Sequence, residues 1–508
     1  MKEDNLNYVL KRFAKGSLIF FIGILLSKIA TYLYKAIVAR TFGQEVYGLF
    51  SLAIMIASLL VSILSLGLQN GLLRYISLYR GKGETEKIQS IIQFSLNIIL
   101  PVSFIGGVLL FIFSGPLSVN LFHNSNLTIF LQWFSIFIPI FVFAGTFHVI
   151  TIAYEKVGWY SFIGNILSPL TQVIFLVILI FFGLKTEAIT ISYNLGFLVI
   201  FLAAFFVSKY TIKDIFNKPK IEKKEKFEIN KKLFSYSWPI IFLGLATVFF
   251  SSIDSFAIGY FKNASEVGVY NAAIPISCFL LIIPSLFLQL FLPIITKEYS
   301  RKNFNLIKKI SKQIGKWIFT LNLPVLIIMA LFPGAVINLL FGSGYIQAET
   351  SLRFLSIGLF FYSIFQVSEN LLSMKGKSKL ILFNLSIAVI VNIVLNLILT
   401  PKYGINGAAF STMISYIFLG LLSFFIAKNQ TKINPLRLDM IKIILVAIIP
   451  TVILFYLRNM ILLTLLNIIL LGVMFVIIYF ILIFLTHSLD KNDLMILKAI
   501  KNKIFMKK

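Results

Sequence analysis

Charge is scarce in this 508-residue chain: Asp, Glu, Lys and Arg together make up 13%, about half the roughly 25% of ordinary soluble domains. Acid is scarcer still, with 19 Asp and Glu against 46 Lys and Arg. Cys278 is the only cysteine, so an intrachain disulfide is excluded and the redox compartment is unreadable. His123, His148 and His487 are too scattered to form a metal-ligand set. The chain has no G-x-x-x-x-G-K-[ST] phosphate loop, no G-x-S-x-G elbow, no H-E-x-x-H and no Asp-x-Asp pair. No enzyme is expected, no cofactor is implied, and ATP is not a direct energy source unless a partner subunit supplies it.

What is abundant is apolar sequence, at 59% of residues. Runs of roughly 18 or more apolar residues match a hydrocarbon core about 30 Å thick at 1.5 Å per residue. Such runs recur from Ser17 almost to Leu485. The fold class expected is an all-α membrane protein. Fourteen spans fit, at about 16–39, 46–73, 91–114, 127–150, 161–183, 188–208, 233–259, 267–295, 317–333, 347–373, 380–400, 405–427, 443–457 and 461–486. The net charge of +27 reads as topology rather than nucleic-acid binding. Only Arg40, Lys185, Lys262, Lys402 and Arg458 fall in outer loops, and only Lys28, Lys35 and Arg353 inside helices. The rest lie on one side, roughly three-tenths basic per residue against one-tenth outside, which is positive-inside orientation with both termini cytoplasmic. The first span, which lacks a small-x-small cleavage site, reads as a retained helix of a multi-pass cell-membrane protein.

An internal repeat divides the chain. Glu45-Val46 recurs as Glu266-Val267, Leu68-Gln69 as Leu288-Gln289, Tyr79 as Tyr299, Leu100-Pro101-Val102 as Leu323-Pro324-Val325, Leu121-Phe122 as Leu340-Phe341, Asn165 as Asn384 and Ala188 as Ala408. The offset stays between 219 and 223 across six spans. Six is even, so both halves enter from the same side and the repeat is parallel, as in transporters whose bundles rock about a central site. The expected organisation is an N-terminal six-helix bundle at 1–208, a basic cytoplasmic linker at 209–232, a second six-helix bundle at 233–427, an extra helix pair at 428–486 and a basic tail at 487–508.

Charges at membrane depth are costly and mark functional candidates. Lys28 and Lys35 stand seven residues apart on the first helix, two turns and about 10 Å along one face, where an anion would find a track. Snorkelling to opposite interfaces is the plainer alternative. Arg74, ending Leu68-Gln69-Asn70-Gly71-Leu72-Leu73-Arg74 at the inner mouth, suits phosphate because guanidinium donors pair bidentately. Asp254 lies opposite Tyr34 and Lys35 after the repeat offset is subtracted, so it is a candidate gate partner of Lys35, or an ion site. Arg353 follows Glu349 by four residues and reads as a local ion pair; Glu369, near an inner helix end, reads as water-reaching.

Ala39-Arg40-Thr41-Phe42-Gly43 followed by Tyr47-Gly48-Leu49-Phe50, its echo Gly259-Tyr260-Phe261 with Val267-Gly268-Val269-Tyr270, and Tyr403-Gly404-Ile405-Asn406-Gly407-Ala408-Ala409 carry a likeness. They resemble the polysaccharide-transporter branch of the multidrug/oligosaccharidyl-lipid/polysaccharide exporter superfamily. The resemblance implies a flippase of O-antigen or capsule type, moving a polyprenyl-(pyro)phosphate-linked oligosaccharide to the outer leaflet by alternating access. It implies membrane lipids and other glycan-assembly proteins as partners. It also implies a cationic central cavity lined by helices 1, 2, 7 and 8, with Lys28 and Arg74 where related peptidoglycan-precursor flippases place arginines. The match at Lys35 is poorer, and helices 13 and 14 would form a lipid-tail groove. The alternatives are a multidrug-type cation antiporter of the same superfamily, which predicts twelve spans and an acidic cavity, a membrane polysaccharide polymerase or glycosyltransferase, and a non-transporting scaffold.

Overall fold

The computed structural model describes residues 2–211, 217, 219–460, 465–486 and 488, with side chains from residue 25 on except at 211, 459 and 465. The basic tail, apart from residue 488, and positions 212–216 and 218 of the basic linker lie outside the described residues. Among the described residues there is no strand. The chain runs as α1 (Lys2–Leu64), α2 (Leu68–Gly81), α3 (Thr85–Pro116), α4 (Leu127–Ala153), α5 (Val157–Ser161), α6 (Ser168–Phe181), α7 (Glu187–Thr211), α8 (Lys223–Ser237), α9 (Ile240–Phe261), α10 (Ala264–Ser277), α11 (Ile282–Ser300), α12 (Phe304–Leu331), α13 (Pro333–Phe341), α14 (Glu349–Met374), α15 (Ser378–Thr431), α16 (Asp439–Met460) and α17 (Leu465–Leu485).

Twelve stretches among the described residues are long and apolar enough to cross a bilayer. The chain is a multi-pass membrane protein. Two of the stretches are hairpins. α1 breaks at Gly43 (φ 83°, ψ 178°) and α15 at Gly404 (φ 57°, ψ −135°), conformations that a Cβ disfavours. In a straight helix Asn384 and Ser423 would stand nearly 60 Å apart at 1.5 Å per residue; the Asn384 amide instead donates to Ser423 Oγ at 3.3 Å. The Tyr34 and Phe50 rings likewise meet at 6.0 Å across Gly43. Each hairpin supplies two rods.

Surface chemistry follows from the solvent. On α3, Leu100, Phe104, Ile105, Val108 and Ile112 are exposed, Phe104 by 64%, whereas Ser95, Ser103, Gly106, Gly107 and Ser114 face neighbouring helices. Lipid offers no drive to bury leucine, so small and hydroxylated residues occupy the helix contacts. The helices group into two compact units, Gly23–Asn271 and Ala272–Lys508 with Met1–Ile22. The repeat describes equivalence along the chain and this grouping describes contact, so α9 and the start of α10 fall with the helices that precede them.

Within Gly23–Asn271, α1 and α10 cross at paired glycines. A Cβ on Gly48 would lie 1.7 Å from the Ala264 carbonyl oxygen, and one on Gly268 would lie 2.0 Å from the Gln44 carbonyl oxygen. Gly48 and Gly268, and Gln44 and Ala264, are related by an offset of 220, within the range of the repeat. The contact is therefore reciprocal, as expected on a two-fold axis.

Within Ala272–Lys508, the α15 hairpin is pinned by buried amides. Asn396 donates to Asn392 Oδ1 at 2.7 Å, and Asn392 Nδ2 reaches Thr412 Oγ1 at 3.3 Å. The α16–α17 pair docks on α12 and α13 through Phe332, Leu454, Leu471 and Phe475, with Tyr479 donating to the Thr320 carbonyl at 3.0 Å.

Candidate functional site

The second rod of α1 carries serines at 58 and 62, Ser65 follows its end, and α2 continues with Gln69 and Asn70. Ser58 and Ser62, four residues apart, share one face of α1, and Ser65 and Gln69 continue the stripe past its end toward a common cavity. Between the two helices the chain is interrupted at Leu66 and Gly67, with φ of 51° and 65°. Such an interruption at membrane depth is tolerated where it lines a polar cavity. A cavity of about 340 Å³ lies there, inside the Gly23–Asn271 unit. That is the size of a ligand pocket rather than a buried-water site.

One side of the cavity is hydroxyl and amide: Ser58, Ser62, Ser65, Gln69 and Asn70. The other is aromatic: Phe134 and Phe141 from α4, Tyr193 and Phe197 from α7. These rings brace one another, Phe134–Tyr193 at 5.7 Å, Tyr193–Phe197 at 5.3 Å and Phe141–Phe197 at 4.6 Å. Gly244 and Val248 of α9 close the remainder. Gly145 leaves room for the Gln69 amide, since a Cβ there would lie 2.4 Å from its nitrogen. Ser65 donates to the Ser62 carbonyl at 3.0 Å. Among the described residues the wall holds no charged side chain. The stripe carries no charge to mark it; a hydroxyl every three to four residues is its signal in the sequence.

Lys28, Lys35 and Arg74, expected to line a cationic cavity, are not among the residues of this wall. Arg74 is exposed on α2, its guanidinium 4.3 Å from the Tyr236 ring centroid and 5.9 Å from that of Tyr75. Tyr75 is itself tied to α8, donating to the Lys232 carbonyl at 3.4 Å. Arg74 is thus held by a cation–π contact with its side chain open to solvent. Lys28 and Lys35 are both half-buried. At 100° per residue they share a face roughly 140° from the exposed stripe of Leu26, Ile29 and Leu33.

Asp254 is buried and accepts the Tyr270 hydroxyl at 2.5 Å. Its neighbour Ser255 accepts from Asn271 at 2.9 Å, and Tyr47 donates to the Asn271 carbonyl at 3.1 Å, so this carboxylate sits in a braced network beside the glycine crossing. Arg353 lies 3.9 Å from Glu349 and donates to the Ala330 carbonyl at 3.1 Å, a helix-surface arrangement. Glu369 is half-buried and accepts from Tyr362 at 3.4 Å and Ser423 at 3.5 Å. No group of three or more His, Cys, Asp or Glu suited to a metal ion occurs among the described residues.

Comparison with known proteins returns one theme. A family model described as polysaccharide biosynthesis protein matches residues 13–298, and the MatE model matches residues 239–398. An uncharacterized membrane protein of Methanocaldococcus jannaschii is 24% identical over 451 residues, covering 84% of this chain and 86% of its own length. A putative O-antigen transporter of Shigella flexneri is 24% identical over 390 residues, covering 76% and 90%. Among solved structures, the lipid II flippase MurJ in an inward closed conformation superposes with a TM-score of 0.70 at 19% identity, over 92% of this chain and 98% of that one.

Proposed function

We propose that this chain, which belongs to the polysaccharide biosynthesis protein family within the multidrug/oligosaccharidyl-lipid/polysaccharide exporter superfamily and is a membrane transporter, flips a polyprenyl-(pyro)phosphate-linked oligosaccharide between leaflets. The supporting observation is the polar cavity among helices whose outer faces are apolar. A hydroxyl taken from water into hydrocarbon without a partner costs about 4–8 kcal/mol, so even one sugar ring needs a polar route. The lipid tail needs none, because it stays in the bilayer. Lys28, Lys35 and Arg74 are the groups that would compensate the (pyro)phosphate, with Asp254 at the gate. The extra helices α16 and α17 would shelter the tail. Two parallel six-helix bundles, fourteen crossings and cytoplasmic termini are the topology this reading uses.

The MatE match favours a second reading, a cation antiporter. A cationic drug needs carboxylate in its cavity, and the described wall has hydroxyl and amide instead. The two readings separate in a thermal-shift experiment on purified protein. Ligand that binds only the folded state raises stability by about 2.7 kcal/mol at a hundred times its Kd. Undecaprenyl-pyrophosphate-linked oligosaccharide should raise the melting temperature and tetraphenylphosphonium should not; the reverse pattern would establish the antiporter.

A further inference from the structure

We infer that the cavity between the serine stripe and the α4–α7 rings is a subsite for an uncharged pyranose ring, the part of the substrate that reads the glycan rather than the phosphate. The inference rests on the proposed flippase reading for its biological ligand, but its physical argument is local. Three features of the cavity point to sugar.

The first is two-sidedness. A pyranose presents C–H groups on its faces and hydroxyls around its rim, so it fits between aromatic rings and hydrogen-bonding side chains. Tyr193, Phe197 and Phe141 give the ring wall, and Ser58, Ser62 and Gln69 give the other. The second is unspent hydrogen-bonding capacity. Among the described residues, the side chains of Ser58, Gln69 and Asn70 and the hydroxyl of Tyr193 engage in no hydrogen bond, and none is a fully buried orphan, so each is open to a ligand or water in the cavity. Ser and Tyr hydroxyls both donate and accept, and amides do so at separate atoms, which suits a ring of alternating hydroxyl partners.

The third is the absence of charge. A (pyro)phosphate in this cavity would meet no cation in the described wall, and a cationic drug no anion. A neutral polar ligand meets neither penalty. Arg74, by contrast, stands outside the cavity over Tyr236, where an anionic group can reach it. The headgroup would then be read in two places, phosphate by cations and sugar by this cavity.

The test uses full-length protein in detergent micelles and two uncharged probes, methyl β-glucoside and methyl N-acetyl-β-glucosaminide, in saturation-transfer-difference NMR. Wild type and Lys402→Ala, an exposed control, should transfer saturation to ring C–H protons of at least one probe. Tyr193→Ala and Gln69→Ala should lose at least three-quarters of that signal, and Tyr193→Phe should keep most of it, because the ring remains. Thermal melts establish that each variant is folded, and Gln69→Leu, close in volume, replaces any that is not. No probe signal in wild type, or equal signals in wild type and Tyr193→Ala, overturns the subsite.

The flippase reading fails separately. In liposomes, Gln69→Ala should slow transfer of lipid-linked oligosaccharide about tenfold while leaving bare undecaprenyl pyrophosphate unchanged. Glycoside binding without transfer of either lipid would sink the transport reading and leave the subsite standing. Equal slowing of both lipids would assign Gln69 a purely structural role and overturn its part in reading sugar.

Discussion

Arg74 owes its place to Tyr236 rather than to an acidic partner. The guanidinium, held 4.3 Å from the Tyr236 ring centroid on an exposed side chain, has its position set before a phosphate arrives. Hydrogen bonds to charged groups contribute about 1.5–3 kcal/mol, and the exposure of this side chain selects the lower end. Arg74→Ala should therefore slow transfer of a lipid-linked oligosaccharide about tenfold, near 1.4 kcal/mol. Arg74→Lys should recover only part, since an ammonium neither stacks flat nor pairs bidentately; full recovery in the same transfer assay would reduce the residue to a charge. Arg74 stands out in the sequence as a candidate because charge near a membrane is scarce. The serine stripe does not, because serine is common on membrane helices, where its hydroxyl usually returns to the preceding turn, as Ser51 does to the Tyr47 carbonyl at 2.8 Å.

Helices here are shaped by a few glycines acting through different physics. Gly43 has nothing within 4 Å of where a Cβ would be, so its role is backbone alone: φ 83° with ψ 178° is nearly closed to other residues. Gly48, five residues on, is an ordinary helical residue in a crowded place, its absent Cβ 1.7 Å from a carbonyl oxygen of α10. Gly43→Ala should cost about 1–3 kcal/mol through strain. Gly48→Val should cost about 1–3 kcal/mol or more through overpacking and should also force α1 from α10. The two are separable by disulfide trapping between cysteines at 44 and 264: Gly48→Val should abolish the crosslink and Gly43→Ala should retain it. Loss in both would mean the hairpin turn itself holds the crossing. The repeat foretold equivalence of Gly48 and Gly268 but not their contact, because an offset in sequence carries no distance. Hairpin breaks at Gly43 and Gly404 were legible as gaps between apolar runs. The interruption at Leu66 and Gly67 was not, since the apolar run continues through it.

At the scale of the whole molecule, the membrane class, the all-α fold and the superfamily could be read from composition, the long apolar runs and the glycine-aromatic motifs. The cavity could not, because it is made by four distant segments that only folding brings together: residues 54–70, α4, α7 and α9. Transport of an anionic headgroup has an electrical signature, as each charge moved through 100 mV is worth about 2.3 kcal/mol. An inside-negative potential across proteoliposomes should shift lipid-linked oligosaccharide toward the outer leaflet, and reversing the potential should reverse the shift; indifference to both would argue against net anion movement.

The most direct measurement is leaflet transfer itself. Purified protein reconstituted with fluorescent undecaprenyl-pyrophosphate-linked oligosaccharide should bring the inner-leaflet population within reach of an external glycosidase. Transfer should exceed that of protein-free liposomes and fall about tenfold in Arg74→Ala. Protection of half the label, unchanged by the wild-type protein over the life of the vesicles, would contradict the assignment.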